Sequence, residues 1–274
     1  MERLRVLTLN IWNRQGPWEE RLAIIRRGLE RLEPDVVGLQ EVLRHEELDE
    51  DQARQIGDGL GYRSVYGKAW DLGGGLVFGN AVLSRHPVAL RNLWPLPVGP
   101  GDEGRALLHA EVEAPCGRVP FFVTHLNWKF HEGATRLEQV LFIADRIAEA
   151  APVGSEAFPP ILVGDFNAEP ESDEIRFLRG HHVARGRSVW LADCFHVAGA
   201  GPGITFARRN PFAFAVREPD RRLDYVFVRG PDRRFLGEPL AARVVLDEPV
   251  GGVFASDHFG VFAELSAVDS RTLG

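Results

Sequence analysis

The chain has 274 residues, 45% hydrophobic and 26% charged, which suits a soluble globular protein with a sizeable core, compatible with one large domain. Its 39 acidic and 32 basic residues give a formal net charge of −7. That is the wrong sign for a protein that coats duplex nucleic acid by neutralising phosphates, although a local basic site is compatible with it.

The amino terminus, MERLRVLTLN, enters a strand pattern at once and lacks the apolar region of a secretory signal. Leu4 to Leu9 reads as a strand ending in Asn10. Pro17 then opens a helix with Leu22, Ile25, Leu29 and Leu32 at helical spacing. Val36 to Leu39 is a second strand, running into Gln40 and Glu41. The stretch DLGGGLVFGN, 71–80, reads as a turn feeding a strand, Leu76 to Leu83. It is no phosphate-cradling loop, because no Gly-Lys-Ser/Thr follows. Leu107 to Val112 and Val119 to Thr124 are neighbouring strands, the second ending in His125. A helix follows with Leu137, Val140, Leu141, Ala144, Ile147 and Ala148 on one face.

Ile161 to Val163 is a buried strand that ends in Asp165 and Asn167, and Ser172 caps a helix carrying Ile175 and Leu178 and stopped at Gly180. Gly199 to Asp220 is a loop of a length that is usually functional or mobile. Tyr225 to Val228 is preceded by Asp224. Phe259 to Leu265 is preceded by Ser256, Asp257 and His258. Cys116 and Cys194 form no CxxC, so neither a disulfide framework nor a zinc knuckle is implied and a reducing cytoplasm fits. No apolar run is long enough to span a bilayer. Lysine occurs only as Lys68 and Lys129, and an arginine bias spread over the whole chain marks no site.

Strands alternating with helices, together with adjacent hairpin-like strands, predict a layered α/β protein with mixed sheets. Four strands carry polar groups at their C-terminal ends and two at their N-terminal ends. If the two classes run antiparallel, all these groups reach one rim, where open α/β sheets bind ligands. Within the rim, Asp165 and Asn167 are two residues apart, and an extended segment would point both to one side. A carboxylate beside a carboxamide suits water activation near a phosphoryl oxygen. Each residue alone has a plainer reading. Asp165 and Asn167 equally suit an Asx-turn, Glu41 a solvated strand exit, His125 a structural histidine, and Asp224 an ion pair with Arg221 or Arg222. The joint pattern carries the functional reading.

Six segments in this order, LTLNIW, PDVVGLQEV, VTHLNW, VGDFNAEP, RRLDYVFV and SDHFGV, resemble the endonuclease/exonuclease/phosphatase superfamily with the DNase I-like fold; GNAVLSRHP resembles its internal strand. The resemblance covers residues 4 to 265. It implies a single domain over 1–274, built as a four-layer α/β/β/α sandwich of two mixed sheets flanked by helices. It also implies phosphoester hydrolysis with a divalent metal, Mg²⁺ or alternatively Mn²⁺. Carried over by position, Glu41 looks like the principal metal ligand, Asn10 its neighbour and Asp257 a metal-side carboxylate. Asp165 resembles the group that positions or deprotonates water, Asn167 a phosphate-oxygen holder, and His258 the phosphate contact or base oriented by Asp224. His125 looks like a stabiliser of the phosphoryl oxygens or leaving group.

The implied substrates are phosphoesters: nucleic acid, nucleotide, lipid headgroup or sugar phosphate. A phosphodiesterase of nucleic acid or of a nucleotide-like ester is favoured over a sphingomyelinase-like or inositol-phosphate enzyme, and both over a non-catalytic binding module. A monomer is expected. Two loops bear on specificity. In 127–136, Trp128 and Phe130 offer stacking, and Lys129, His131 and Arg136 offer phosphate contacts, unless the loop merely caps the following helix. In 205–223, arginines and phenylalanines offer a phosphate-gripping lid, unless they are solvated and core residues respectively.

Overall fold

The structure, a computed structural model, describes residues 2–268 except 49, 100, 155, 231 and 233. Residues 1 and 269–274, part of the expected domain, lie outside the described residues. In chain order the elements are β1 (Arg3–Asn10), α1 (Trp18–Leu32), β2 (Val36–His45), β3 (Glu50–Asp51), α2 (Gln52–Gly57), β4 (Arg63–Gly73), β5 (Leu76–Ser84), β6 (Val88–Pro95), β7 (Ala106–Ala114), β8 (Gly117–His125), α3 (Gly133–Ala150), β9 (Ile161–Asp165), α4 (Asp173–Leu178), β10 (Leu191–Asp193), α5 (Cys194–Ala198), α6 (Pro211–Phe214), β11 (Asp224–Arg229), β12 (Pro239–Val245) and β13 (Gly260–Ser266).

They form two mixed sheets. One has the order β12-β13-β1-β2-β5-β4, with β3 paired to β2, and the other β10-β11-β9-β8-β7-β6. Period-two alternation sends Leu4, Val6, Val261 and Ala263 of the first sheet against Phe121, Val123, Val163 and Val226 of the second, making the central core. The opposite faces are covered by helices. Ile25 and Leu29 of α1 pack on Leu7, Leu9 and Val37. Val140, Leu141 and Ile147 of α3 pack on Phe122, Leu162 and Phe227. The result is the four-layer α/β/β/α sandwich of the DNase I-like fold.

Strand directions settle the rim. β1 and β2 are parallel, as are β8 and β9, while β13 runs antiparallel to β1 and β11 antiparallel to β9. The C-terminal ends of the first four and the N-terminal ends of the last two therefore share one edge. Gly38 lets the sheets approach there: a Cβ at this position would lie 2.3 Å from Val163 Cγ2 and 3.1 Å from Val123 Cγ2.

Some local expectations change. Ser172 is the N-cap residue of α4, but its side chain makes no capping hydrogen bond. Ala148 is exposed on α3, and Arg136, Gln139 and Ile143 join the buried face. The long loop before β11 is ordered by a short helix and by contacts to the segment ahead of β13. Asn210 caps α6 by accepting from Phe212 N, and its own amide donates to Ser256 O at 2.7 Å. Phe206 forms backbone bridges to both Arg221 and His258.

Candidate active site

At the shared rim a cleft of about 400 Å³ is lined by Glu41, His125, Asp165, Asn167, Asp257 and His258. Asn10 and Asp224, both buried, sit behind them. All eight sequence candidates thus meet at one place. Asp165 Oδ2 is the node. It accepts from Asn10 Nδ2 at 3.0 Å and lies 3.5 Å from His125 Nε2 and 3.6 Å from His258 Nε2. Its other oxygen accepts from Asn167 N at 2.9 Å.

That last bond is an Asx-turn, and it corrects the expected spacing argument. β9 ends at Asp165, and Asn167 takes a left-handed conformation, φ 50°. The pair shares the cleft because the turn folds back, not because the strand continues. The Asn167 amide donates to Leu126 O at 3.2 Å. The turn and the site are the same feature, so the two sequence readings were not exclusive.

Glu41 is also left-handed, φ 57°, at the irregularity in the β2–β5 ladder between Leu39 and Val42. Such backbone is uncommon for a residue with a Cβ and is held by its surroundings. Here it turns the carboxylate into the cleft, where Asn10 Nδ2 donates to one oxygen at 3.2 Å and Asn13 Nδ2 to the other at 3.0 Å. Asn10 Oδ1 itself accepts from Trp12 N. Ser256 Oγ donates to Asn10 O and lies 3.1 Å from Asp257 Oδ1, tying β1 to the β13 entry.

His258 Nδ1 donates to Asp224 Oδ2 at 2.9 Å, leaving Nε2 toward Asp165. The alternative partners of Asp224 are engaged elsewhere. Arg221 pairs with Glu169 and Glu218, and Arg222 with Asp193. Among the described residues, Asp165, Asp224 and His258 form the one group of three whose ligand atoms lie within 4.8 Å of one another. Because His258 Nδ1 is bonded to Asp224, this trio reads as an oriented imidazole between two carboxylates.

Burial sets the charges. It raises Asp257 to about 7, with Glu41 and Asp165 adding like-charge repulsion and His258 and Ser256 opposing. It raises Glu41 and Asp165 as well. Burial alone would lower His258, but Asp224, Asp165 and Asp257 together hold it well above the ordinary histidine value. His125 goes the other way, lowered by burial and then by the charges of Arg105 and His258. Burial and mutual repulsion thus disfavour the charged forms of Glu41 and Asp257 unless a cation joins them, and the neighbouring guanidinium of Arg21 is turned to the carbonyls of Ile11, Trp12 and Asn13. Such a donor set fits a hard divalent cation.

Three residues at the site escaped the sequence reading. Arg105, just ahead of β7, reaches His125 Nδ1. Asn13 holds Glu41, and Arg21 braces the segment after β1. Each lies outside the apolar-to-polar boundaries that flag a strand end, although Arg105 directly precedes an apolar run.

The specificity loops behave in part as expected. Trp128, Phe206, Val216 and Glu218 line the cleft, beside Trp12 and Phe78. The basic groups do not face it as expected. Lys129 is bonded to Asp102, Arg136 to Glu174 and to the carbonyl of Lys129, and His131 stands exposed beside Glu132. Arg209 pairs with Asp247 and Glu248, Arg208 and Arg217 lie over Phe214, and Arg221 lies over Phe130. Carboxylates thus hold Lys129, Arg136, Arg209 and Arg221, and the Phe214 ring lies against Arg208 and Arg217.

Two mixed sheets with carboxylates and imidazoles gathered at one rim define a DNase I-like protein. The model of the Endonuclease/Exonuclease/phosphatase family matches residues 7–258, and the chain belongs to this family, whose members hydrolyse phosphoester bonds and generally use a divalent metal. Similar solved structures include truncated Caenorhabditis elegans TDP2, with TM-score 0.74 and 20% identity, covering 96% of this chain and 98% of that one. The human Nocturnin catalytic domain with bound sulfate anion gives TM-score 0.69 and 20% identity, covering 97% and 93%. D. rerio TDP2 complexed with single strand DNA product gives TM-score 0.67 and 20% identity, covering 96% and 98%. No curated protein matches the sequence significantly. Among the described residues, no helix is long and apolar enough to cross a membrane.

Proposed function

We propose that the chain is a divalent-metal-dependent hydrolase of a nucleotide-like phosphoester. The observation that carries this reading is Asp165 Oδ2 held between the two imidazole Nε2 atoms, at 3.5 and 3.6 Å, beside the carboxylates of Glu41 and Asp257. Glu41 and Asp257 would hold Mg²⁺ or Mn²⁺, and Asn10 and Asn13 orient the Glu41 side. The chemistry such an ion would supply when bound is neutralisation of phosphoryl charge and a lowered water pKa. Asp165, its carboxylate directed by Asn10 and the Asn167 backbone, aligns the attacking water and takes its proton. Asn167 lies beside it for a phosphate oxygen. His258, kept cationic by Asp224 and Asp165, stabilises the charge that builds on the phosphoryl group. His125 donates to a second oxygen.

The substrate reading rests on the walls. Trp12, Phe78, Trp128 and Phe206 offer faces for a planar leaving group. Glu103 and Glu218 line the same cleft, in which Arg105 is the one Lys or Arg side chain among the described lining residues. Such a wall disfavours further phosphates flanking the scissile one, so a compact ester fits better than a long strand. A second reading, the end of a single strand, draws on the DNA product bound to the D. rerio relative.

The test is hydrolysis of bis(p-nitrophenyl) phosphate with Mg²⁺, Mn²⁺ or excess chelator, followed by nucleotide esters, single-stranded DNA and RNA, phosphorylated inositols and sphingomyelin. Turnover that stops with chelator and is fastest on nucleotide esters is expected. No turnover with either ion would overturn the enzyme reading, and preference for long strands or lipid would overturn the substrate class.

A further inference from the structure

We propose that Arg105 is a positioning residue that locks His125 as the neutral tautomer protonated at Nε2, so that His125 meets a ligand only as a hydrogen-bond donor. Arg105 Nη1 lies 3.3 Å from His125 Nδ1, and both side chains are buried. A guanidinium carries N–H donors and no acceptor. The bond therefore runs one way, and Nδ1 presents its lone pair. One ring proton remains, on Nε2, and that atom faces Asp165 Oδ2 in the cleft.

The lock has a frame. Glu103 accepts from Arg105 Nη2 at 2.9 Å and holds the second arm of the fork. The Phe78 ring lies 5.9 Å from the guanidinium carbon and 6.3 Å from the His125 ring, covering both. His125 ends β8 and Arg105 precedes β7, whose pairing with β8 sets Leu107 opposite Thr124, so the two residues sit at the same end of one antiparallel ladder. A proton on Nδ1 would point at a fixed positive charge. Burial and that charge both hold His125 in its neutral form.

His258 is wired in the opposite sense. Its Nδ1–H goes to a carboxylate, so Nε2 is the atom that exchanges a proton or carries charge toward the cleft. Two histidines of similar sequence context, each next to a strand boundary, thus have separate duties fixed by one partner each, a cation for His125 and an anion for His258. The kinetic consequence rests on the proposed hydrolase reading; the tautomer does not.

Long-range ¹H–¹⁵N spectra of the histidine rings in metal-free protein at neutral pH read the tautomer without any turnover. The wild type is expected to show His125 protonated at Nε2 alone. Arg105→Met, which keeps length and apolar packing, should give a mixture of tautomers or a protonated ring, and Arg105→Lys should restore the Nε2–H form. In turnover, Arg105→Met should lower kcat by about 10–100-fold with KM moved less, the range for a partner that orients a functional imidazole, and Arg105→Lys should recover part of it. A wild-type ring protonated at Nδ1, or one unchanged in Arg105→Met, would sink the proposal. If Arg105→Met does not fold, the wild-type and Arg105→Lys spectra still decide it. The predicted tautomer without turnover of any ester would leave the lock standing and remove the hydrolase reading instead.

Discussion

Asp224 is fully buried, and one of its oxygens has no hydrogen-bond partner, while the other faces His258. Its charge is therefore spent on one imidazole. Asp224→Asn keeps the shape and removes the charge. We expect kcat to fall by about 10²–10⁴-fold, the range of a positioned acid–base group, with little loss of fold. The sign of the pH effect follows from the field: Asp224 raises His258, so without it the His258 limb of the rate profile moves to lower pH. Rate against pH for the two proteins checks both statements; an unmoved limb would contradict the second. By adjacency the sequence offered this aspartate Arg221 and Arg222, and by the family resemblance His258, 34 residues away. Only the fold spends both arginines elsewhere.

At the scale of elements, the interior strands stood out in the sequence and the edge strands did not. β12, β4, β10 and β6 close the ends of the two sheets. β6 has no fully buried residue and β12 buries only Ala242 and Val245, so neither reads as a buried run. The interior strands β1, β9 and β11 are buried on both faces and read as continuous runs. The sheet-to-sheet contact gives a direct prediction. Gly38→Ala puts a methyl into Val163 and should cost about 1–3 kcal/mol by overpacking. Val163→Ala in the same chain should restore part of that, because the two positions touch. Urea unfolding of both single variants and the double variant measures the coupling, and additive losses would show that the sheets yield locally.

Across the whole molecule, stability in acid should depend on a histidine remote from the cleft. His109 on β7 is stacked between Trp94 and Phe122, and its Nδ1 accepts from Asn92 Nδ2 at 3.1 Å. Burial lowers its pKa to about 4. Between pH ~6.5 and ~4 the unfolded chain takes this proton and the folded chain does not, so the folded state loses stability as pH falls through that window, by less than ~1.4 kcal/mol per pH unit. His109→Phe keeps the stack and removes the proton site. Its urea midpoint should fall less steeply with pH over the same range than that of the wild type, and equal slopes would refute the assignment.

Sequence by itself determined the strand interiors, the main helices and which polar residues stand at strand ends, because burial on a periodic scaffold writes itself into local hydrophobic order. It also supplied motifs distinctive enough to point to the family and the architecture. Only the tertiary structure decided that Asp165 lies between two imidazoles, that Glu41 is turned inward by left-handed backbone, and that Lys129, Arg136, Arg209 and Arg221 answer to nearby carboxylates. Those facts depend on residues far apart in sequence, such as Asp165 and His258, coming together, and on which of several available partners each charge meets once the sheets have closed. Local spacing carries no information about that competition.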